Sequence, residues 1–83
     1  MKIIKIGRDT SNDVVISHDP MVSHAHCQII ENYGEYTLLD CNSLNGTYVN
    51  GMKMRRNGEM RIKQSDIIRI GNTTLPWIQY FMR

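Results

Sequence analysis

Apolar residues alternating every second position, punctuated by Asn-Gly and related turn pairs, limit this chain more than any other feature. The pattern opens with Lys2-Ile3-Ile4-Lys5-Ile6, and no later segment sustains apolar residues at helical spacing. Strands are expected at Lys2–Ile6, Asp13–Ile16, His26–Ile30, Tyr36–Leu39, Thr47–Val49, Glu59–Ile62, Asp66–Ile70 and Thr73–Phe81. Turn chemistry falls between them at Ser11-Asn12-Asp13, Asn32-Tyr33-Gly34, Asn50-Gly51, Asn57-Gly58 and Gly71-Asn72. Asn-Gly between alternating runs is a hairpin signal, and it occurs at Asn45, Asn50 and Asn57. Many short strands at this spacing predict an all-β sandwich or barrel. Pro20 falls in a loop, whereas Pro76 interrupts the last run and marks an edge or a bulge.

The 83 residues suffice for one domain, residues 1–83, compatible with excision from a longer protein. A hydrophobic content of 41% argues for a packed core rather than disorder. No stretch approaches the ~20 apolar residues of a membrane-spanning helix. The charged, alternating start is not a secretory leader, so a cytoplasmic protein is expected. Cys27 and Cys41, with no CxxC pair, fit two packed thiols in a reducing compartment.

Several function classes fit poorly. A net charge of +2 is too small to argue for nucleic acid. Lys53, Arg55, Arg56, Arg61 and Lys63 do cluster, but without interleaved aromatics, and a solvated hairpin face is expected. His24, His26 and Cys27 are close in sequence, yet strand alternation points His26 and Cys27 to opposite faces, so no metal site is expected. Ser23 or Cys27 beside the two histidines is the only nucleophile arrangement, and no triad-like Asp accompanies it. A small sandwich also has little room for a deep cleft, so no enzyme and no cofactor are expected.

Four stretches carry the functional signal: Gly7-Arg8, Ser23-His24-Ala25-His26, Asn45-Gly46-Thr47 and Asn50-Gly51. A β-scaffold can bring them together as loops. Arg8 offers a forked permanent charge, Ser23 a hydroxyl, and Asn45 an amide able to clamp a peptide backbone. Such a set suits a dianionic phosphate on an extended chain.

At these stretches the chain resembles the forkhead-associated (FHA) domain family. The resemblance runs through Lys5-Ile6-Gly7-Arg8, Val22 to Ile29, Leu39 to Gly51 and Ile62 to Gly71, with Ser65-Asp66 where the family usually has Gly-Asp. It implies a two-sheet antiparallel β-sandwich whose chain ends lie side by side and whose ligand loops cluster at one end. It implies a module that binds threonine-phosphorylated proteins, and a monomer without contact to nucleic acid or membrane is expected. Arg8 would then bond the phosphate and orient the peptide, Ser23 would donate to a phosphate oxygen, and Asn45 would hold the peptide backbone. Gly7, which would permit a turn, His26, Gly46, Thr47, Asn50 and Gly51 would support the site. Loss of His26 would cost on the order of 1–3 kcal/mol if a buried partner is left unsatisfied.

Two positions within the site itself depart from the family. His24 stands where Arg is common and adds charge only when protonated, so binding is expected to strengthen below pH ~6.5–7. Leu44 stands where Ser or Thr supplies a further phosphate contact. Ser43 would then be a candidate to compensate, and Leu44 an apolar contact to the peptide. These departures define the alternative, a degenerate FHA scaffold that binds a partner without phosphate.

Overall fold

The computed structural model describes residues 1–82. Among the described residues nine strands form: β1 (Lys2–Gly7), β2 (Val14–Val15), β3 (Cys27–Asn32), β4 (Glu35–Asp40), β5 (Thr47–Val49), β6 (Met52–Lys53), β7 (Glu59–Ile62), β8 (Ile68–Ile70) and β9 (Thr73–Leu75). They make a five-stranded sheet ordered β2-β1-β3-β4-β7 and a four-stranded sheet ordered β6-β5-β8-β9. All pairings are antiparallel except the short β1–β2 pair. The expected all-β sandwich is therefore present.

Alternation explains the core. In β1, Ile4 and Ile6 turn inward while Ile3 and Lys5 turn outward. Ile29 and Leu38 continue the five-stranded layer, and Val49, Ile68, Ile70 and Leu75 face them from the other sheet. Burying each such side chain contributes about 1.5–3 kcal/mol, which a domain without a cross-link needs. Cys27 and Cys41 are free thiols, and desolvation of buried Cys27 suppresses its ionisation strongly.

The turns correct the expectation drawn from Asn-Gly. Of the three Asn-Gly steps, only Asn50-Gly51 closes a two-residue hairpin, with both residues at positive φ (53° and 83°) between paired Val49 and Met52. Asn45-Gly46 instead enters β5, and Asn57-Gly58 precedes β7 in the crossover between sheets.

The expected strand Thr73–Phe81 also breaks. Ile70 and Thr73 still pair across the Gly71-Asn72 turn, but the strand ends at Leu75. Pro76 supplies no N–H to extend the ladder, and Trp77–Phe81 coil into a 3₁₀ helix instead. Trp77 is buried, donates Nε1–H to the Asp66 carbonyl at 2.9 Å, and meets Tyr36 edge-on at 5.1 Å. Lys2 Nζ reaches the Tyr80 carbonyl at 3.4 Å, so the first and last segments lie side by side.

Candidate functional site

Three segments converge at one end of the sandwich: the end of β1, the stretch 19–26, and the loop from Asp40 into β5. Backbone bonds lace the first two together. The Arg8 N–H donates to the Ser23 carbonyl at 3.0 Å and the Asp9 N–H to the His24 carbonyl at 3.2 Å. Asn12 Nδ2 adds bonds to the carbonyls of His24 (2.7 Å) and Asp9 (2.8 Å). This lacing explains Gly7. A β-carbon there would lie 2.2 Å from the His24 carbonyl oxygen, so close approach rather than a turn demands glycine.

His26 is the pivot between the second and third segments. It is fully buried, its Nδ1 accepts the Ser23 N–H at 3.0 Å, and its Nε2 lies 2.9 Å from the Gly46 carbonyl. An acceptor at Nδ1 and a carbonyl at Nε2 require the neutral ring with its proton on Nε2. Desolvation lowers the imidazole's pKa, against the Gly46 hydrogen bond and the charges of Asp40 and Asp19, which raise it.

The polar groups that remain available face one depression. Arg8 donates Nε–H to the Val22 carbonyl at 2.8 Å, which fixes the guanidinium. Its two terminal nitrogens take no partner among the described residues. Ser23 Oγ accepts the Leu44 N–H at 3.0 Å, which leaves its own proton to donate outward. Asn45 donates Nδ2–H to the Met21 carbonyl at 2.9 Å, which leaves its side-chain oxygen free. Arg8, Ser23, His24, Leu44 and Asn45 line this depression of about 270 Å³ together with Pro20, Met21 and Val22. No carboxylate lines it among the described residues, so the guanidinium charge is uncompensated.

Of the other expected residues, Ser43, Thr47, Asn50 and Gly51 lie outside the depression, and Leu44 stands at its rim. Ser43 is buried, and its hydroxyl donates to Asp40 Oδ1 at 2.5 Å, so it cannot replace a hydroxyl at Leu44. Leu44 projects into solvent with 74% exposure. Thr47 is buried and donates to Asp40 Oδ1 at 2.6 Å. Asn50 and Gly51 lie at the far end of β5, where Asn50 braces Asp66 and the Ile67 N–H at 2.9 Å each. They stand apart from the convergent group.

Two acids matter here that sequence reasoning did not single out. Asp40 accepts four bonds, from the Ser43 and Thr47 hydroxyls and the Ser43 (3.1 Å) and Asn57 (3.0 Å) N–H groups. Desolvation pushes its pKa up, but the hydrogen bonds outweigh it and hold the carboxyl below the usual range. Asp19 accepts the Met21 N–H at 3.0 Å and, at 2.7 Å each, the Asn72 N–H and Thr73 hydroxyl. It thereby staples the site's second segment to the β8–β9 turn. The Thr73 bond leads in lowering its pKa. An acid followed three residues later by Ser was the available local signal for Asp40. For Asp19 the local signal extends only to its turn with Met21, because its other two partners lie more than fifty residues away.

The sequence model of the FHA domain matches residues 4–71. The oxoglutarate dehydrogenase inhibitor of Corynebacterium glutamicum is 36% identical over 72 residues, which cover 87% of this chain and 48% of that protein. The N-terminal FHA domain of Saccharomyces cerevisiae Rad53p, solved in complex with a phosphothreonine peptide, superposes with a TM-score of 0.75. It is 32% identical, over 84% of this chain and 56% of that one. The FHA domain of CT664 protein from Chlamydia trachomatis gives a TM-score of 0.79 at 28% identity, over 88% of this chain and 71% of that one. The chain spans about half or less of the length of the curated relatives it matches.

Proposed function

The chain belongs to the FHA domain family, and on that premise we propose that it reads threonine phosphorylation on a partner protein through Arg8, Ser23 and Asn45. The supporting observation is the convergence of donors without protein acceptors. The terminal nitrogens of Arg8 and the hydroxyl proton of Ser23 open on one depression, beside the free oxygen of Asn45. A phosphate of about −1.5 to −2 charge accepts from both donors, and the amide oxygen takes a peptide N–H alongside. His24, exposed at the rim, adds a third donor. The domain acts by capture rather than chemistry, as a cytoplasmic monomer within a larger signalling protein.

Titration with matched phosphothreonine and threonine peptides tests this. The phosphorylated peptide is expected to bind, and Arg8→Ala to weaken it by about 1.5–3 kcal/mol, tenfold to over a hundredfold. Equal binding of both peptides would sink the proposal. It would instead favour the phosphate-independent scaffold, for which the exposed Leu44 side chain is the best argument. Leu44→Thr gives a converse test. A hydroxyl there, over a backbone already fixed by Ser23, is expected to tighten phosphopeptide binding up to about tenfold and leave the threonine peptide unchanged.

A further inference from the structure

We infer that the cleft between the free edges of β6 and β7 is a second docking surface, which takes an extended acidic and apolar segment of the partner that carries the phosphothreonine. The identity of that partner rests on the phosphothreonine reading, whereas the cleft's chemistry does not.

The topology creates the cleft. β6 is the outermost strand of one sheet and β7 of the other, and a groove of about 470 Å³ lies between them. Met52 and Lys53 line it from β6, Met60 and Arg61 from β7, with Met54 and Lys63 beside them. Outermost strands offer unpaired backbone N–H and C=O groups, the recognition element for an added extended segment. Methionines adapt their shape to varied apolar partners. Met52 is 76% exposed and Met60 38%, so this apolar surface is available.

Charge selects the occupant. Half of the chain's ten basic residues lie between Lys53 and Lys63, with Glu59 the only acid in that stretch. The one carboxylate lining the cleft among the described residues is Asp66, and both its oxygens are engaged, by Asn50 Nδ2 at 2.9 Å and the Lys63 N–H at 2.8 Å. Arg61 meets Glu35 at 3.3 Å, but both side chains are 64% exposed, and such a pair exchanges readily for another carboxylate. Among the described residues no aromatic lines the cleft to stack a nucleic-acid base.

Continuity ties the cleft to the phosphate depression. A neighbouring hollow of about 510 Å³ shares Met54 and Met60 with it and includes Arg56. Arg56 Nη2 donates to the Leu44 carbonyl at 3.1 Å, at the depression's rim. The molecule is 33 Å in its longest dimension, which about ten extended residues span at ~3.3 Å each. One partner segment of that length reaches both sites.

The test uses phosphothreonine peptides carrying either a mixed Glu/Met flank or a Gly/Ser flank, with unphosphorylated counterparts, followed by fluorescence anisotropy. Three exposed cation–carboxylate pairs together predict roughly tenfold tighter binding for the Glu/Met flank, fading at high salt. The combined variant Lys53→Gln, Arg61→Gln, Lys63→Gln is expected to remove that gain, and Met52→Ser with Met60→Ser to reduce it. Arg8→Ala is expected to keep the gain while losing phosphate discrimination. Thermal melts establish that each variant is folded. The inference is overturned by a missing gain, or by one that survives the triple variant. It is equally overturned if a single-stranded DNA oligomer displaces the flanked peptide as well as free flank peptide does, or if sedimentation shows the cleft pairing two copies of the chain. A persistent flank gain without phosphate discrimination supports the cleft and overturns only the phosphothreonine reading and the shared partner.

Discussion

Asp40→Ala is expected to destabilise the domain by about 3–5 kcal/mol, because it strands several buried donors at once. The Ser43 and Thr47 hydroxyls and the Ser43 and Asn57 N–H groups all give their protons to this carboxylate. No water reaches Ser43 or Thr47 to replace it, since both are buried. Domains of this size have ~4–12 kcal/mol in total, so the loss removes a large part of the folding free energy. Asp40→Asn is expected to cost less, since one amide oxygen still accepts, while the amide NH₂ faces donors. Urea denaturation of the three proteins at neutral pH measures the series. A loss below about 1 kcal/mol for Asp40→Ala would mean that the donors find other partners. Ser43 sits one residue before Leu44 and two before Asn45, so the same substitution loosens the loop that presents them. Phosphopeptide affinity is expected to fall in both variants, and more in the alanine form.

The site was legible where its chemistry is local and obscure where partners come from afar. Arg8, Ser23 and Asn45 were recognisable as one group because a fork, a hydroxyl and an amide together suit a phosphate on an extended chain, and the three line one depression. Ser43 looked equally available. Its inward orientation follows from Asp40, and a sequence does not display which way a loop hydroxyl turns. Gly7 was legible as a glycine but not for its reason, which is the His24 carbonyl seventeen residues downstream. The strands followed alternation, so the one that was missed, β6, is two residues long with both side chains exposed. A pair of outward-facing residues has no period to detect. Pro76 was read as a disturbance within a strand, whereas its missing donor and fixed φ let the chain leave the sheet altogether.

His26 predicts an acid sensitivity of the folded domain. Folding lowers the His26 pKa, chiefly through desolvation, so the unfolded chain binds a proton more readily than the folded one. Stability therefore rises with pH across this titration. The His26 contribution is complete above the unfolded value of about 6.5 and is lost as pH falls below it. Asp40 and Asp19, held below the usual carboxylate range, lose their contributions only in stronger acid, so the windows separate. Protonation at Nδ1 removes the acceptor for the Ser23 N–H, and with it the alignment of the Ser23 hydroxyl. Phosphate loses part of its second charge in the same range, so binding alone does not separate the causes. Thermal melts without ligand do. The wild-type midpoint is expected to fall between pH 7 and pH 5, and His26→Gln to flatten that slope. His26→Ala is expected to cost about 2–4 kcal/mol at neutral pH, since the Ser23 N–H and the Gly46 carbonyl lose their partner around a cavity. A midpoint that is flat between pH 7 and pH 5, or an unchanged slope in His26→Gln, would remove His26 as the source. Should the slope vanish with His26 while His24→Ala leaves it intact, acid acts on the platform rather than on the rim, and Ser23 is the residue through which the change reaches the phosphate.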